Sequence, residues 1–263
     1  MIKIDMQIKA ADLLPRLEKL WELSEKKIHA IEQQCPPGTP SPVFTVDGKY
    51  TTQGWTEWTQ GFQYGAAFLQ FDATGDATYL DLATQRTEQV MAGHLTHLGV
   101  HDHGFNNVST YGNLWRLIRE GKVDADPWKQ AFCELALKIT GAVQASRWTE
   151  RADGGGFIHS FNGAQSLFVD TIRSCRALAV SHMLGHVLME EQDMKINLLD
   201  RLLQHVRSTA DFSIYYGEGR DSYDTTDVRG RTVHEALFNP KNGVFRAPST
   251  QQGYSPFSTW TRG

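Results

Sequence analysis

Four of the ten histidines and a single carboxylate, Asp102, fall within HLTHLGVHDHGFNNVSTYG, residues 94–112. Two kinds of chemistry need such residues close together. His94, His97 and His101 recur at i, i+3 and i+7, which on an unbroken helix would place three imidazoles on one face, as a metal site requires. The spacing matches no established ligand motif, however, and Gly99 with the Gly104-Phe105 pair is expected to end the helix before His101. For His94 and His97 the better reading is partly exposed last-turn residues favoured by the helix dipole. The His101-Asp102 pair is different, because a carboxylate among imidazoles can be held in a defined protonation state. A second acid, Asp170, lies in the apolar run SLFVDTIRSC. An ionised carboxylate buried there is costly, so the sequence predicts that it is either paired or protonated. A protonated acid beside a like charge can donate a proton at neutral pH. A carboxylate bonded to a neighbouring helix, or to Arg173 or Arg176, fits the composition equally well.

The elements that must position these groups read as helices with short glycine-containing breaks. Leu13, Leu17, Leu20, Trp21 and Ile28 recur at helical spacing in AADLLPRLEKLWELSEKKIHAIEQQC, which CPPGTPSP stops. A second helix starts near Trp55, and Asp76 is placed to cap a third over ATYLDLATQRTEQVMAGHLTHLG. Further helical runs are STYGNLWRLIREGK, DPWKQAFCELALKITGAVQASRW, NGAQSLFVDTIRSCRALAVSHMLG and EEQDMKINLLDRLLQHVRSTA. The run 163–184 is apolar nearly all round, as a buried inner helix is, and 191–208 carries charge on one side, as an outer helix does. After residue 210, β-branched and aromatic residues alternate with the turn signals Asn239-Pro240 and Asn242-Gly243, giving a long loop with one short hairpin. About seven helices in alternating inner and outer pairs suggest an all-α toroid formed by residues 1–263 as one domain, with a superhelical solenoid as the competing architecture.

Composition narrows the function. The chain has 263 residues, 40% hydrophobic and 21% charged, enough to bury a core. A formal net charge of −4 with scattered basic residues gives no electrostatic reason to expect nucleic acid or an anionic membrane as partner. No secretory signal or bilayer-spanning run is visible. Cys35, Cys133 and Cys175 are far apart and lack CxxC spacing, which points to a reducing cytoplasm rather than a disulfide framework or zinc ribbon.

Several separated segments line up with one family. EWTQGFQYG with ATGDATYL behind it, then HDHGF, SLFVDTIRS, TVHEALFNPKNG and QQGYSPFSTWTRG occur in the order and at the spacings of the unsaturated glucuronyl hydrolases, which the chain resembles over nearly its whole length. Each segment is weak alone, and together they are specific. The resemblance implies an (α/α)6 barrel and a cofactor-free, metal-free hydrolase of lyase-generated oligosaccharides carrying a C4=C5 double bond in the non-reducing uronic acid. In that chemistry an acid protonates C4, water adds at C5, and the resulting hemiketal opens to release the rest of the sugar. The carboxylate-separation rule of ordinary glycosidases therefore does not apply. Asp170 matches the general acid and base and Asp102 the supporting acid, with a negative Asp102 expected to keep a proton on Asp170. His101, His234, Gln252, Trp260 and Arg262 fall on substrate-contacting positions, and an arginine suits a uronate carboxylate through a forked pair of bonds. Trp58 offers a flat face for a pyranose ring, although a core tryptophan beside Phe62 reads equally well without the resemblance.

Three departures bear on that reading. Phe161 stands where the family usually has tryptophan, so it can stack but not donate a hydrogen bond. GYSPFS replaces a usual pair of acids, and the loop 211–232 is longer than typical, which leaves substrate preference open. The chain also stops at Gly263, where the family continues into further barrel helices. The expectation is a fragment, or an open barrel edge covered by self-association or a partner, with catalysis by the 263-residue form compromised. The competing functions are an enzyme of the same architecture acting on saturated sugars, as glycosidase or epimerase, and a non-catalytic carbohydrate-binding protein.

Overall fold

A computed structural model describes residues 6–52, 54, 58–220, 224 and 229–249. The chain divides into two compact units, residues 1–94 with 105–135 and residues 95–104 with 136–263.

In the first unit a 3-10 turn, Ala10–Leu13, leads into α1, Leu14–Gln34, which has a proline at its start where the missing N–H costs nothing. A two-stranded hairpin, β1 Pro42–Val46 and β2 Lys49–Thr52, turns at Asp47-Gly48, both with positive φ. The expected helical hairpin follows. α2, Gln60–Thr74, ends on a left-handed Gly75, and α3, Ala77–Val90, starts where the Asp76 side chain accepts from Thr78 N at 2.9 Å. Ala67 and Phe68 of α2 pack with Tyr79 and Ala83 of α3 and with Leu114, Leu117 and Cys133. A one-turn α4, Ala92–Leu95, precedes a π-helical stretch, Gly104–Gly112, that runs into α5, Asn113–Arg119. Gly61 and Gly65 let α2 approach the π-helical backbone closely: a Cβ at Gly61 would sit 2.2 Å from Asn106 Cα, and one at Gly65 would sit 2.7 Å from the Ser109 carbonyl. α6, Pro127–Ser146, forms as its spacing predicts.

In the second unit β3, Trp148–Glu150, pairs with β4, Gly156–Ile158. The run expected as one inner helix over 163–184 is built otherwise. Ser166–Phe168 is strand β5, Asp170 is the N-cap residue of the short α7, Thr171–Ser174, and helix resumes as α8, Arg176–Met183. An apolar run of this length satisfies a buried strand as well as a helix, and pairing with a distant strand decides it. The outer helix expected over 191–208 begins later. A small hairpin, β6 Leu188–Met189 and β7 Lys195–Ile196, precedes α9, Leu198–Ser213, which Asn197 caps through Leu199 N and Asp200 N. β8, Ile214–Tyr215, pairs with β9, Arg231–Thr232. The expected hairpin after residue 230 is β10, Glu235–Phe238, with β11, Phe245–Ser249, and β10 also pairs antiparallel with β5 to give the order β11-β10-β5. Phe157, Leu167, Ala236 and Phe238 form one cluster, with Phe212 and Phe245 packed against it. Ala145, Ile158, Cys175, Leu178 and Leu198 form another.

Candidate active site

The segment Val100–Gly104 is held by α7. Gly104 N donates to Ser174 Oγ at 2.9 Å, the Ser174 hydroxyl donates to the His101 carbonyl, and Arg176 donates to the Gly104 carbonyl at 3.1 Å. Only glycine fits at 104, since a Cβ there would lie 2.1 Å from the Ser174 carbonyl oxygen. A second clamp comes from Arg147, whose buried guanidinium donates to the carbonyls of Leu98, His159 and Ser160. Together these contacts fix His101 and Asp102 against the residue that opens α7, Asp170.

Two carboxylates from distant parts of the sequence therefore meet at one imidazole. His101 Nε2 lies 3.7 Å from Asp102 Oδ1 and 3.7 Å from Asp170 Oδ1. Phe161 N donates to His101 Nδ1 at 3.2 Å, which makes Nδ1 the acceptor and puts the ring's proton on Nε2, between the two acids. Phe161 also stacks on the His101 ring at 5.9 Å and 12°, while Phe168 meets that ring edge-on at 5.5 Å. His234 leans on Phe168 at 4.6 Å. Thus Asp102, Asp170, His101, Phe161 and His234 lie together in the second unit.

The electrostatics reverse one expectation. The Asp102 side chain is 6% exposed and that of Asp170 is 27% exposed, although Asp170 has the more apolar sequence neighbours. Burial pushes the Asp102 carboxyl above its ordinary value; the His101 charge opposes this, Asp170 adds to it and Arg147 opposes it, and burial prevails. Burial also acts upward on Asp170, but His101, 3.7 Å away and helped by His234 and Arg173, brings it below the usual carboxylate range. For His101 burial acts downward, and Asp102 followed by Asp170 overcomes it, so the imidazole is raised. These directions run opposite to the expectation that a negative Asp102 keeps a proton on Asp170: Asp102 and His101 are raised and Asp170 is lowered.

The remaining histidines of the cluster are structural. His103 donates from Nε2 to the His97 carbonyl at 3.1 Å and meets the Thr140 hydroxyl at 3.3 Å. In the first unit His94, in the last turn of α4 as expected, is half-buried between Gln60 Oε1, at 2.7 Å, and Asn106 Nδ2, at 3.1 Å. Trp58, also in that unit, is 37% exposed and edge-on to Phe62 at 6.1 Å. Gln252, Trp260 and Arg262 lie outside the described residues. Sequence reasoning missed Arg147, Phe168 and Ser174, whose roles appear only once remote segments meet. The glycine of HDHGF was the one available signal for a close backbone approach.

The architecture places the chain among the α/α-barrel proteins. A heparin-specific unsaturated glucuronyl hydrolase matches with a TM-score of 0.68 and 17% identity, over 93% of this chain and 57% of that one. The unsaturated glucuronyl hydrolase of Streptococcus agalactiae matches with a TM-score of 0.67 and 20% identity, over 91% and 54%. In sequence, the chain is similar to the unsaturated chondroitin disaccharide hydrolase of Streptococcus pyogenes serotype M1, 26% identical over 227 residues, 85% of this chain and 49% of that protein. No family model matches. The fold is thus that of the unsaturated glucuronyl hydrolases, and the chain spans about half the length of the relatives it matches.

Proposed function

We propose that this chain carries the acid–base centre of a hydrolase that removes a Δ4,5-unsaturated uronic acid from lyase-generated oligosaccharides by hydrating the C4=C5 bond. The observation that carries the reading is the shared imidazole: two carboxylates, each 3.7 Å from His101 Nε2, one enclosed and one reaching solvent. Asp170, the more exposed, is the group that delivers a proton to C4 and then takes one from the water adding at C5. Asp102 is the enclosed acid that keeps a proton in the cluster, and His101 lies between them.

The resting charge on Asp170 suits an anionic substrate. A uronate carboxylate arriving beside Asp170 adds a like charge, which raises the Asp170 pKa so that it takes up a proton from solution. Binding thereby loads the donor. Hydration at C5 gives a hemiketal that opens with loss of the glycosidic partner, so no covalent glycosyl intermediate is needed. Phe161 is assigned as an apolar face for the sugar, and His234, Gln252, Trp260 and Arg262 as further substrate contacts. The buried free thiols of Cys35, Cys133 and Cys175 suit a reducing cytoplasm, and no helix among the described residues is long and apolar enough to cross a membrane. The test is loss of the double bond's ultraviolet absorbance on a panel of lyase-generated disaccharides, with their saturated counterparts as controls. Turnover confined to the saturated sugars would instead support a conventional glycosidase or epimerase.

A further inference from the structure

Glu235 is fully buried at the start of β10 and has no assigned part in the chemistry. Its Oε1 accepts from the Ser166 hydroxyl at 2.5 Å and from Asn162 Nδ2 at 3.1 Å. Its Oε2 is buried with no hydrogen-bond partner among the described residues. A carboxyl group placed this way costs the fold, and such exceptions concentrate at functional sites.

The two donors belong to one tight turn. Ser160 N bonds the Ser166 carbonyl at 2.9 Å, Gly163 N bonds the Ser160 carbonyl at 3.1 Å, and the Ser160 and Ser166 hydroxyls meet at 2.6 Å. Asn162 N donates to Ser160 Oγ at 3.1 Å. Phe161, between Ser160 and Asn162, carries the backbone N–H that His101 Nδ1 accepts. Glu235 also faces Phe168 across the β10–β5 register, and Phe168 is edge-on to His101. Glu235 therefore holds two residues of this turn, Ser166 at its end and Asn162 next to Phe161, whose N–H fixes the His101 tautomer.

We propose that Glu235 is a positioning residue: by pinning Asn162 and Ser166 it keeps the Phe161 N–H on His101 Nδ1, so that the ring's own N–H stays aimed at Asp102 and Asp170. The catalytic consequence rests on the proposed hydration, while the tautomer consequence does not. Glu235→Ala removes the acceptor, and Glu235→Gln retains one at nearly the same place.

The experiment combines two-bond ¹H–¹⁵N spectra of the histidine rings with steady-state kinetics on an unsaturated disaccharide. In the wild type and in Glu235→Gln, His101 shows a bare Nδ1 and a protonated Nε2. In Glu235→Ala it shows a mixture of tautomers, and kcat falls about tenfold with KM within about twofold, because alignment rather than binding is lost. If Glu235→Ala does not fold, Ser166→Ala, which removes one donor to Oε1, is read by the same spectra and is expected to give a partial mixture. An unchanged His101 tautomer in folded Glu235→Ala, or in Ser166→Ala where Glu235→Ala does not fold, overturns the proposal. Absence of turnover by the wild type would count against the hydration reading alone, and the spectra would still decide the role of Glu235.

Discussion

Gly104→Ala places a methyl group where the structure has no room. The added Cβ would lie 2.1 Å from the Ser174 carbonyl oxygen and 2.6 Å from its Cα, and both are backbone atoms of α7 that no rotamer change can move. Restoring ordinary contact of about 3.4 Å requires the 101–104 segment and α7 to separate by roughly 1 Å. Those two segments carry His101 with Asp102 on one side and Asp170 on the other, so the displacement falls directly on the 3.7 Å gap between His101 and Asp170. Overpacking of this kind costs about 1–3 kcal/mol of stability, and a misplacement of about 1 Å in a catalytic pair costs on the order of 100-fold in rate. The assay is urea unfolding at pH 7 together with absorbance-monitored turnover. Gly93→Ala is the control, because a Cβ there meets nothing within 4 Å and the glycine lies within α4. That variant should be neutral or stabilised by up to about 1 kcal/mol. The reasoning fails if Gly104→Ala unfolds within about 0.5 kcal/mol of wild type with unchanged turnover, or if Gly93→Ala is equally damaging.

Three further outcomes follow from the same geometry. Asp102→Asn removes the ionisable group that most strongly raises His101, so the His101 titration followed by NMR should move down; an unmoved or higher titration would contradict the coupling. Arg147→Met leaves the carbonyls of Leu98, His159 and Ser160 without their donor, and should cost about 3–5 kcal/mol in chemical unfolding; a loss below about 1 kcal/mol would show that the clamp does not hold the site. His205 is fully buried, accepts from Ile158 N at 3.1 Å, and is pushed down to about 3 by burial. Because the unfolded chain binds that proton first, its contribution is complete above about pH 6.5 and declines by about 1.4 kcal/mol per pH unit as pH falls toward 3. His159, pushed down to about 4, adds a parallel loss, so His205→Gln should flatten the pH dependence of stability between pH 6 and 4 by about half, and an unaltered slope would contradict it.

Much of this architecture was legible because its signals are local. The leucine spacing before Cys35, the Asp76 cap and the turn at Asn242-Gly243 act within a few residues, and each element formed where its own chemistry indicated. The strand at Ser166–Phe168 was not legible, because an apolar run of that length suits a helix as well, and the deciding partner, β10, lies about seventy residues away. Which of the two acids is the more enclosed was not legible for the same reason. Asp170 has apolar sequence neighbours and opens toward solvent, whereas Asp102 has polar neighbours and is enclosed, since burial is a property of the assembled fold. No local pattern indicates what Arg147, Ser174 and Glu235 hold; each contact became visible only through the remote backbone or turn that it joins.

The central claim is that binding of an unsaturated uronate loads a proton onto Asp170, beside His101 and Asp102, and that Asp170 delivers it to the double bond. Stopped-flow measurement of proton exchange with a pH indicator, as an unsaturated disaccharide is mixed with the wild-type chain and with Asp170→Asn, tests it most directly. The account predicts proton uptake on binding, followed by loss of the double bond's absorbance in the wild type, and neither signal in Asp170→Asn. Absorbance loss at a near-normal rate in Asp170→Asn, or binding by the wild type without proton uptake, would contradict it.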